Sequence, residues 1–321
     1  MNNKQKGINE FRNELLSTYE KGTFSLPRVV LIETRSKCNG TCAFCPASAL
    51  TDERSDELMS LEVFNKIIDD LAKINYSNRV SLFNNNEPFL DKRIFEIVAL
   101  TRKALPRAFI ELKSNGTLLN EKKVIKIFEA GLDMLNINDY TKDFKHTKNI
   151  EILKKELSSS RRFNINNDIG APKRINIELR KMDAVLSSRG GKSPNKKDFY
   201  NPYKNQPCMR AAEMLTINPR GNVGVCCEDY ASTLIVGNVN KESIYKIWTS
   251  KNYVSIRKSL LKGNRSINHI CSKCDHIGYS NEMLDENNVK KPGVFNKLFI
   301  KKLTGKLHKI WKTKSLGAKL Y

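Results

Sequence analysis

The chain has 321 residues, enough to bury a sizeable core and too many for a small domain held together by cross-links. Its hydrophobic content of 40% and mean hydropathy of -0.49 are typical of a soluble globular protein, and neither a membrane-spanning stretch nor a secretory signal is recognisable, so a cytoplasmic protein is expected. The net charge is +22, but the tail over 290–321 contributes ten lysines and no acidic residue, so partners selected by charge are expected to bind there.

The first two thirds of the chain alternate between helical and strand patterns. A polar helix pattern comes first, and short β-branched runs then alternate with amphipathic stretches, which predicts parallel strands joined by helical crossovers. Pro106 and Gly131 stand where the helical periodicity ends. The pattern predicts an α/β fold that forms an open or a complete barrel. The predicted helices are 8–19, 60–73, 92–104, 121–130 and 150–157, and the predicted strands are 28–33, 80–83, 109–113, 134–138 and 174–179.

A change of pattern follows the barrel. Residues 187–207 are polar and contain glycines and prolines, which indicates a domain boundary. Beyond it, a turn signal at 219–221 separates two short strand patterns, 214–218 and 222–225. This part has little apolar material for a core of its own, so a metal cluster would help to hold its loops. Helices are predicted at 244–248 and 253–261, and the predicted domains are a helical extension over 1–25, a barrel over 26–195, a small domain over 196–285 and a basic helical tail over 286–321.

Eight cysteines in a reducing compartment favour metal or cluster ligation over disulfides, and they are closely spaced at two places. Cys38, Cys42 and Cys45 form a C-x3-C-x2-C motif on the loop after the first predicted strand. Three thiolates on a four-iron cube leave one iron open for another ligand. A structural zinc site is the alternative, and it would need a fourth ligand nearby.

This motif, with an aromatic residue before its last cysteine, resembles the signature of the radical S-adenosylmethionine (SAM) superfamily. The resemblance implies a [4Fe-4S] cluster on these cysteines, whose open iron binds SAM and splits it to a 5'-deoxyadenosyl radical. It also implies that Glu87, in an Asn-Asn-Glu-Pro segment where the family has Gly-Gly-Glu-Pro, contacts the SAM amino group. Ser114 and Asn115 stand where the family often binds the SAM ribose. Taken alone, both segments also fit ordinary loops and turns.

Four further cysteines occur in the C-terminal third, spaced C-x17-C-x44-C-x2-C: Cys208, Cys226, Cys271 and Cys274. They resemble the SPASM or twitch domain, which implies a second, auxiliary [4Fe-4S] cluster. Cys227 is an alternative to Cys226 as the second ligand, and a zinc ribbon is an alternative to a cluster, because four cysteines around a hairpin also bind zinc. The histidines lack metal-ligand spacing and are predicted at the surface or at helix ends: His146, His269, His276 and His308.

The cysteine intervals, together with the segments 186–191 and 226–229, resemble the family of SAM-dependent 2-deoxy-scyllo-inosamine dehydrogenases, over most of residues 31–276. The resemblance implies a partial (β/α)6 TIM-like barrel with a small C-terminal iron-sulfur domain. It also implies that Arg189 and Glu228 approach the substrate, whereas spacing alone would make Arg189 an ordinary loop arginine. Cysteine at 227 and the asparagines before Glu87 depart from that family, so a different substrate is an open alternative.

The preferred hypothesis for function is oxidation of a secondary alcohol on a sugar, cyclitol or related polar metabolite to a ketone. The auxiliary cluster would accept the electron, and a donor such as flavodoxin or ferredoxin would reduce the first cluster. Peptide or protein modification, epimerisation and sulfatase-type maturation are alternatives within the superfamily. A zinc or nucleic-acid-binding protein is the alternative from another class.

The basic tail has apolar residues at helical spacing among its lysines, which predicts an imperfect amphipathic helix. Such a helix would dock on the protein's own surface or contact an anionic membrane at the inner face, where a lipid-linked sugar could be the substrate. Nucleic acid is not an expected partner, because no module of interleaved aromatic and basic residues is visible elsewhere.

Overall fold

The computed structural model describes residues 3–160, 162–165, 173–196 and 201–279. The predicted tail over 286–321 lies outside the described residues, and within them no helix is long and apolar enough to cross a bilayer. The helices are α1 (Asn3–Glu20), α2 (Leu61–Lys73), α3 (Ile94–Ala104), α4 (Glu121–Glu129), α5 (Lys148–Ser160), α6 (Arg210–Glu213), α7 (Ile244–Trp248), α8 (Lys251–Leu261) and α9 (His269–Ser272). The strands are β1 (Val29–Ile32), β2 (Arg79–Ser81), β3 (Phe109–Ser114), β4 (Met134–Thr141), β5 (Asn164–Ile165), β6 (Arg174–Lys181), β7 (Met214–Ile217), β8 (Asn222–Gly224) and β9 (Ile235–Asn238).

Local signals explain where the helices begin and end. Ser60 accepts a hydrogen bond from the backbone N of Val63 at the start of α2, and Asn120 accepts one from Lys123 at the start of α4. Each bond satisfies an amide that has no partner within its helix. Gly131 follows α4 with φ of +110°. A Cβ at this position would lie 2.7 Å from the Cβ of Arg102 in α3. The predicted helix stop at Gly131 is confirmed.

Within the described ranges, nine strands form one sheet in the order β5-β6-β4-β3-β2-β1-β7-β8-β9. The first six strands are parallel to their neighbours, as the alternating pattern predicts. Their carboxyl ends therefore lie at one edge, and the loops that follow β1, β2, β3 and β6 meet there. The core is made of apolar strand residues that are fully buried, including Val30, Ile110, Leu135 and Ile175. The predicted α/β fold is confirmed.

The sheet continues into the C-terminal third without a break. β7 pairs in parallel with β1, and β8 and β9 then add antiparallel strands. The predicted hairpin at 219–221 is present between β7 and β8. β5 and β9 were not predicted, because one has two residues and the other is a short run interrupted by a glycine. The domain boundary between 195 and 196 stays a prediction.

A buried arginine connects the N-terminal helix to the C-terminal third. The guanidinium of Arg257 in α8 lies 4.0 Å from the ring centre of Trp248, 4.3 Å from that of Tyr253 and 5.1 Å from that of Tyr19 in α1. It also donates to the carbonyl oxygen of Tyr253. The aromatic faces and the carbonyl dipole stabilise a cation that is removed from water. Helix α1, most of the predicted 1–25 extension, is therefore anchored to α8.

Candidate active site and iron-sulfur sites

The three-cysteine motif lies on the loop after β1, at the carboxyl edge of the parallel strands. The backbone N of Gly40 donates to Cys38 Sγ at 3.3 Å. A Cβ at Gly40 would lie 3.4 Å from Cys38 Sγ and 3.9 Å from Cys42 Sγ. The two sulfur atoms thus face the same small space, and glycine keeps that space open between them.

Polar contacts fix this loop on two sides. Asn115, which directly follows β3, donates through Nδ2 to Asn39 Oδ1 at 2.8 Å and lies 3.9 Å from Cys38 Sγ. On the other side, the backbone N of Ala43 donates to the carbonyl oxygen of Met182, just after β6, at 2.9 Å. The protein alone therefore holds the motif between the ends of β3 and β6.

Glu87 lies beside the motif, because its backbone N donates to the carbonyl oxygen of Lys37 at 3.0 Å. Its carboxylate accepts hydrogen bonds from Ser114 Oγ at 2.9 Å, from Asn115 N at 2.7 Å and from Phe89 N at 3.1 Å. The side chain is buried, which raises the pKa of Glu87 above its ordinary value. These hydrogen-bond donors offset only part of that rise. The structure thus brings together the three predicted SAM-binding residues, and Glu87 sets the position of the other two.

Burial favours the protonated form of the Cys38 and Cys42 thiols. Burial raises the pKa of Cys38 to about 11 and that of Cys42 to about 12, and the neighbouring Cys45 adds to both shifts. Iron stabilises the thiolate form, so cluster binding would release these protons. Sulfur donors beside the polar groups of Glu87, Ser114 and Asn115 fit a [4Fe-4S] cluster that binds SAM.

Four of the five cysteines of the C-terminal third line one cavity: Cys208, Cys226, Cys271 and Cys274. We call it the four-cysteine cavity. Cys227 is outside its lining. The Sγ of Cys227 accepts from the guanidinium of Arg210, and its carbonyl oxygen accepts from Asn85 Nδ2 at 3.2 Å. This arrangement supports Cys226 as the cluster ligand, which stays a prediction.

Arg265 holds the loops around the four-cysteine cavity. Its buried guanidinium donates to the carbonyl oxygens of Gln206 at 3.0 Å, His276 at 2.5 Å and Ile277 at 3.2 Å. These carbonyls stand just before Cys208 and just after the last cysteine pair. Arg265 therefore helps to fix how far apart the cysteines lie, although its sequence context resembles an ordinary polar loop.

His276 contradicts its sequence prediction. It lines the four-cysteine cavity, where its Nε2 lies 3.2 Å from Arg210 Nη1, so the expected surface or helix-end position is wrong. Burial and the nearby Arg210 lower the pKa of His276 to about 4, which leaves a neutral ring. His269 is the first residue of α9, as predicted for a helix end, and His308 lies outside the described residues. His146 lies just before α5, with its Nδ1 2.9 Å from Asp139 Oδ2.

The predicted substrate residues pair with each other next to the four-cysteine cavity. Arg189 Nη1 lies 3.6 Å from Glu228 Oε1, and Glu228 Oε2 accepts from Ser187 Oγ at 2.9 Å. Arg189 also donates to Asn85 Oδ1, on the loop that carries Glu87. Glu228 itself lines the cavity. The pair therefore bridges the proposed SAM loop and the proposed auxiliary-cluster site.

Electrostatics keep this pair charged. Burial by itself raises the pKa of Glu228, but Arg189, Arg210 and the hydrogen bond from Ser187 bring it below its ordinary value. Burial lowers the pKa of Arg189, whereas Glu228 and Cys227 hold it above its ordinary value. A buried carboxylate that stays ionised beside a fixed guanidinium is available to accept a hydrogen bond from a hydroxyl group.

The backbone around Arg189 is strained and closely packed. Arg189, Gly190 and Gly191 have φ of 51°, 63° and 85°, in the left-handed region. A Cβ at Gly190 would lie 2.9 Å from Ile270 Cγ2, and one at Gly191 would lie 3.1 Å from Lys273 Cβ. The turn thus packs against α9, which carries Cys271. The position of Arg189 is therefore tied to the helix that lines the four-cysteine cavity.

Neither cysteine group resembles a site for one metal ion. Across the described ranges, no group of three or more His, Cys, Asp or Glu side chains is arranged to hold a single ion. A four-iron cube is larger than an ion, so its thiolates come from further apart.

Two family models match the parts of the chain that carry these sites. Residues 32–141 match the radical SAM superfamily, and residues 208–275 match the SPASM iron-sulfur cluster-binding domain. The first range includes the three-cysteine motif and Glu87, and the second includes the cysteines that line the four-cysteine cavity. Both predicted domain types are confirmed.

Known relatives agree with this assignment. The S-adenosyl-L-methionine-dependent 2-deoxy-scyllo-inosamine dehydrogenase of Niallia circulans is 27% identical over 254 residues, which is 79% of this chain and 95% of the relative. The crystal structure of BtrN in complex with AdoMet and 2-DOIA matches with a TM-score of 0.66 and 25% identity, over 79% of this chain and 95% of that one. The AdoMet-bound structure of anSMEcpe, at a TM-score of 0.51 and 14% identity over 78% and 86% of the two chains, shares the fold. The chain therefore belongs to the radical SAM superfamily, as an enzyme that uses SAM and a [4Fe-4S] cluster and carries a C-terminal SPASM iron-sulfur domain.

Proposed function

We propose that this enzyme oxidises a secondary alcohol of a sugar, cyclitol or related polar metabolite to a ketone. The observation that carries the proposal is the Arg189–Glu228 pair, in which Arg189 contacts Asn85 of the SAM loop and Glu228 lines the four-cysteine cavity. A hydroxyl group bound at this pair would lie between a radical source and an electron acceptor. The name of the Niallia circulans relative, a dehydrogenase, supports the same reaction class.

Two separate sets of residues would hold the cofactors. In this proposal, the motif cysteines hold one [4Fe-4S] cluster, Glu87, Ser114 and Asn115 bind SAM, and the cysteines of the four-cysteine cavity hold the auxiliary cluster. When bound, these groups supply a radical that removes the hydrogen from the carbinol carbon and an acceptor for the remaining electron. Flavodoxin or ferredoxin would serve as the electron donor.

The side chains around the pair would bind the substrate and move its proton. Arg189 donates hydrogen bonds to the substrate oxygen, and the ionised Glu228 accepts the hydroxyl proton as the ketone forms. Ser187 holds one oxygen of Glu228, and Asn85 holds the guanidinium of Arg189. Asn85 stands where the family has glycine, so this chain uses a side chain from the SAM loop to orient a substrate-binding residue.

A labelled substrate tests the reaction. With a candidate alcohol deuterated at the carbinol carbon, we expect deuterium in 5'-deoxyadenosine and a ketone formed in step with SAM cleavage, measured by mass spectrometry under anaerobic conditions. Glu228→Gln keeps the size but not the charge, and it should slow ketone formation by roughly 10²- to 10⁴-fold, the usual contribution of a general base. Deuterium at a neighbouring carbon is the control and should stay in the product. Deuterium transfer without a ketone would contradict the proposal.

Epimerisation is a second candidate, because Cys227 is a thiol outside the lining of the four-cysteine cavity and directly precedes Glu228. Such a thiol could return a hydrogen atom to a substrate radical. In D₂O an epimerase would give a product with solvent deuterium at the inverted carbon, and Cys227→Ser would abolish it. An enzyme that oxidises its substrate would give a ketone both with and without the Cys227→Ser substitution.

We also propose that the basic tail brings the enzyme to an anionic membrane surface, where a lipid-linked sugar would be a substrate. At about 1 kcal/mol for each lysine near such a surface, half of the ten lysines would supply about 5 kcal/mol. Truncation after Asp285 should leave iron content and SAM cleavage unchanged, because every proposed ligand is upstream, and should abolish binding to anionic vesicles in a co-sedimentation assay. Neutral vesicles and high salt are the controls. Loss of iron on truncation, or no vesicle binding by the full chain, would contradict this proposal.

A further inference from the structure

Arg210 has a hydrogen-bond donor that the protein does not use. It is the first residue of α6, two residues after Cys208, and its side chain lines the four-cysteine cavity. One of its terminal nitrogens donates to Cys227 Sγ, and the other lies 3.2 Å from His276 Nε2. Its Nε, in contrast, is buried and has no hydrogen-bond partner within the part of the chain that the structure describes. Leaving a buried donor unpaired is unfavourable, because the donor loses its hydrogen bond to water.

Arg265 is the other arginine of the cavity, and its contacts indicate a structural role. Arg265 also lines the four-cysteine cavity, but its Nε donates to the carbonyl oxygen of Gln206 and its terminal nitrogens donate to further carbonyls of the surrounding loops. Its donors are thus used to join loops. Arg210 also lines the cavity, but it contacts a thiol and an imidazole instead of carbonyls. Its Nε is left without a partner among the described residues.

We propose that Arg210 Nε donates a hydrogen bond to the auxiliary cluster, at a sulfide or a cysteine sulfur, and that this bond and the fixed positive charge raise the cluster's reduction potential. Hydrogen bonds to the sulfurs and the net charge nearby are among the factors that set the potential of an iron-sulfur cluster. Reduction adds one negative charge to the cluster. A buried cation with a directed donor therefore stabilises the reduced form more than the oxidised form.

A raised reduction potential of the auxiliary cluster would assist the proposed oxidation, and this consequence rests on that proposed function. After the carbinol hydrogen has been removed, the substrate is a carbon radical that still carries its hydroxyl group. It becomes the ketone when one electron passes to the auxiliary cluster and the hydroxyl proton passes to Glu228. A higher cluster potential favours that electron transfer. The contact between Arg210 and the cluster does not depend on which substrate is oxidised.

The test measures the potential without any substrate. Arg210→Gln removes the charge and the guanidinium donors, and Arg210→Lys keeps the charge but removes Nε. Both are made in the full chain with the motif cysteines replaced by Ala, so that only the auxiliary cluster remains, and the midpoint is followed by EPR during a redox titration. We expect Arg210→Gln to lower the ratio of reduced to oxidised cluster at a fixed potential about tenfold, which corresponds to about 59 mV for one electron. Arg210→Lys should give a smaller shift in the same direction.

Arg189→Gln is the matched control, because it removes a nearby half-buried charge that does not line the cavity, and its shift should be smaller than that of Arg210→Gln. Fe–S stretching bands of the unsubstituted auxiliary site should also shift in D₂O and lose that shift in Arg210→Lys. Equal midpoints in both Arg210 variants and the parent would overturn the proposal. Loss of iron from both variants with the fold intact would also overturn it, because Arg210 would then hold the site together and not tune it. Ketone formation is absent from these readouts, so failure of the proposed function is seen separately.

Discussion

Replacing Cys38, Cys42 and Cys45 together by Ala is expected to lower the iron content from about eight to about four atoms per chain and to abolish the formation of 5'-deoxyadenosine. The three thiols lie on one loop that is fixed by Asn115 and by the end of β6, so they form one site and are lost together. The four-cysteine cavity is lined by other parts of the chain and should keep its cluster. Anaerobic reconstitution with iron and sulfide analysis measures the first effect, and chromatography of the SAM products measures the second.

The matched control for this triple replacement is the double change of Cys271 and Cys274 to Ala. It should also remove about four irons, but it should leave SAM cleavage in the absence of substrate. Stoichiometric zinc without iron in carefully prepared protein would contradict the cluster assignment and would favour the zinc-binding alternative.

Cys226→Ala is expected to remove the auxiliary cluster, whereas Cys227→Ala is expected to keep it. Cys226 is buried and lines the four-cysteine cavity, while Cys227 contacts Arg210 outside the lining. The two residues are adjacent in sequence and chemically identical, so each variant is a close control for the other. Iron content and the EPR signal of the reduced auxiliary cluster measure the difference, and ketone formation should fall in both variants.

The reason for lost activity should differ between these two variants. Cys226→Ala would lack the electron acceptor, and Cys227→Ala would lack only the contact that positions Arg210 beside Glu228. The opposite result, a cluster kept in Cys226→Ala and lost in Cys227→Ala, would move the ligand by one residue. It would also require the backbone between β8 and the Glu228 loop to change its path.

Most of the barrel could be predicted from the sequence, because local rules act there. The strand patterns alternate with amphipathic helices, and signals such as Ser60 and Gly131 mark where helices begin and end. β5 and β9 were missed, because their pairing with β6 and β8 supplies what their short sequences lack. The parallel pairing of β7 with β1 was also invisible, because it joins segments about 185 residues apart.

The candidate site was predictable where residues of similar chemistry occur at short spacing. The cysteine motifs and Glu87 belong to this group, and the two family models cover them. Arg210, Arg265 and His276 were missed because each appears in sequence as a single polar residue near a cysteine. Only the fold shows that they line one cavity with four thiols. Asn85 was noticed as a departure from the family, but its contact with Arg189 required the structure.

The pairing of β7 with β1 bears on how such an enzyme could be divided or recombined. Strand β1 is hydrogen-bonded to β2 on one side and to β7 on the other. A barrel cut off before β7 would expose a new sheet edge, which is open to pairing with another chain. A chimera that exchanges the C-terminal third would therefore need to supply its own β7 in the register that places Ile217 opposite Ile32. Loop length before β7 could vary at little cost, but a shift of one residue within β7 would turn its side chains to the opposite faces of the sheet. The two cluster sites are thus joined by a shared sheet, and they would be inherited or transferred as one piece.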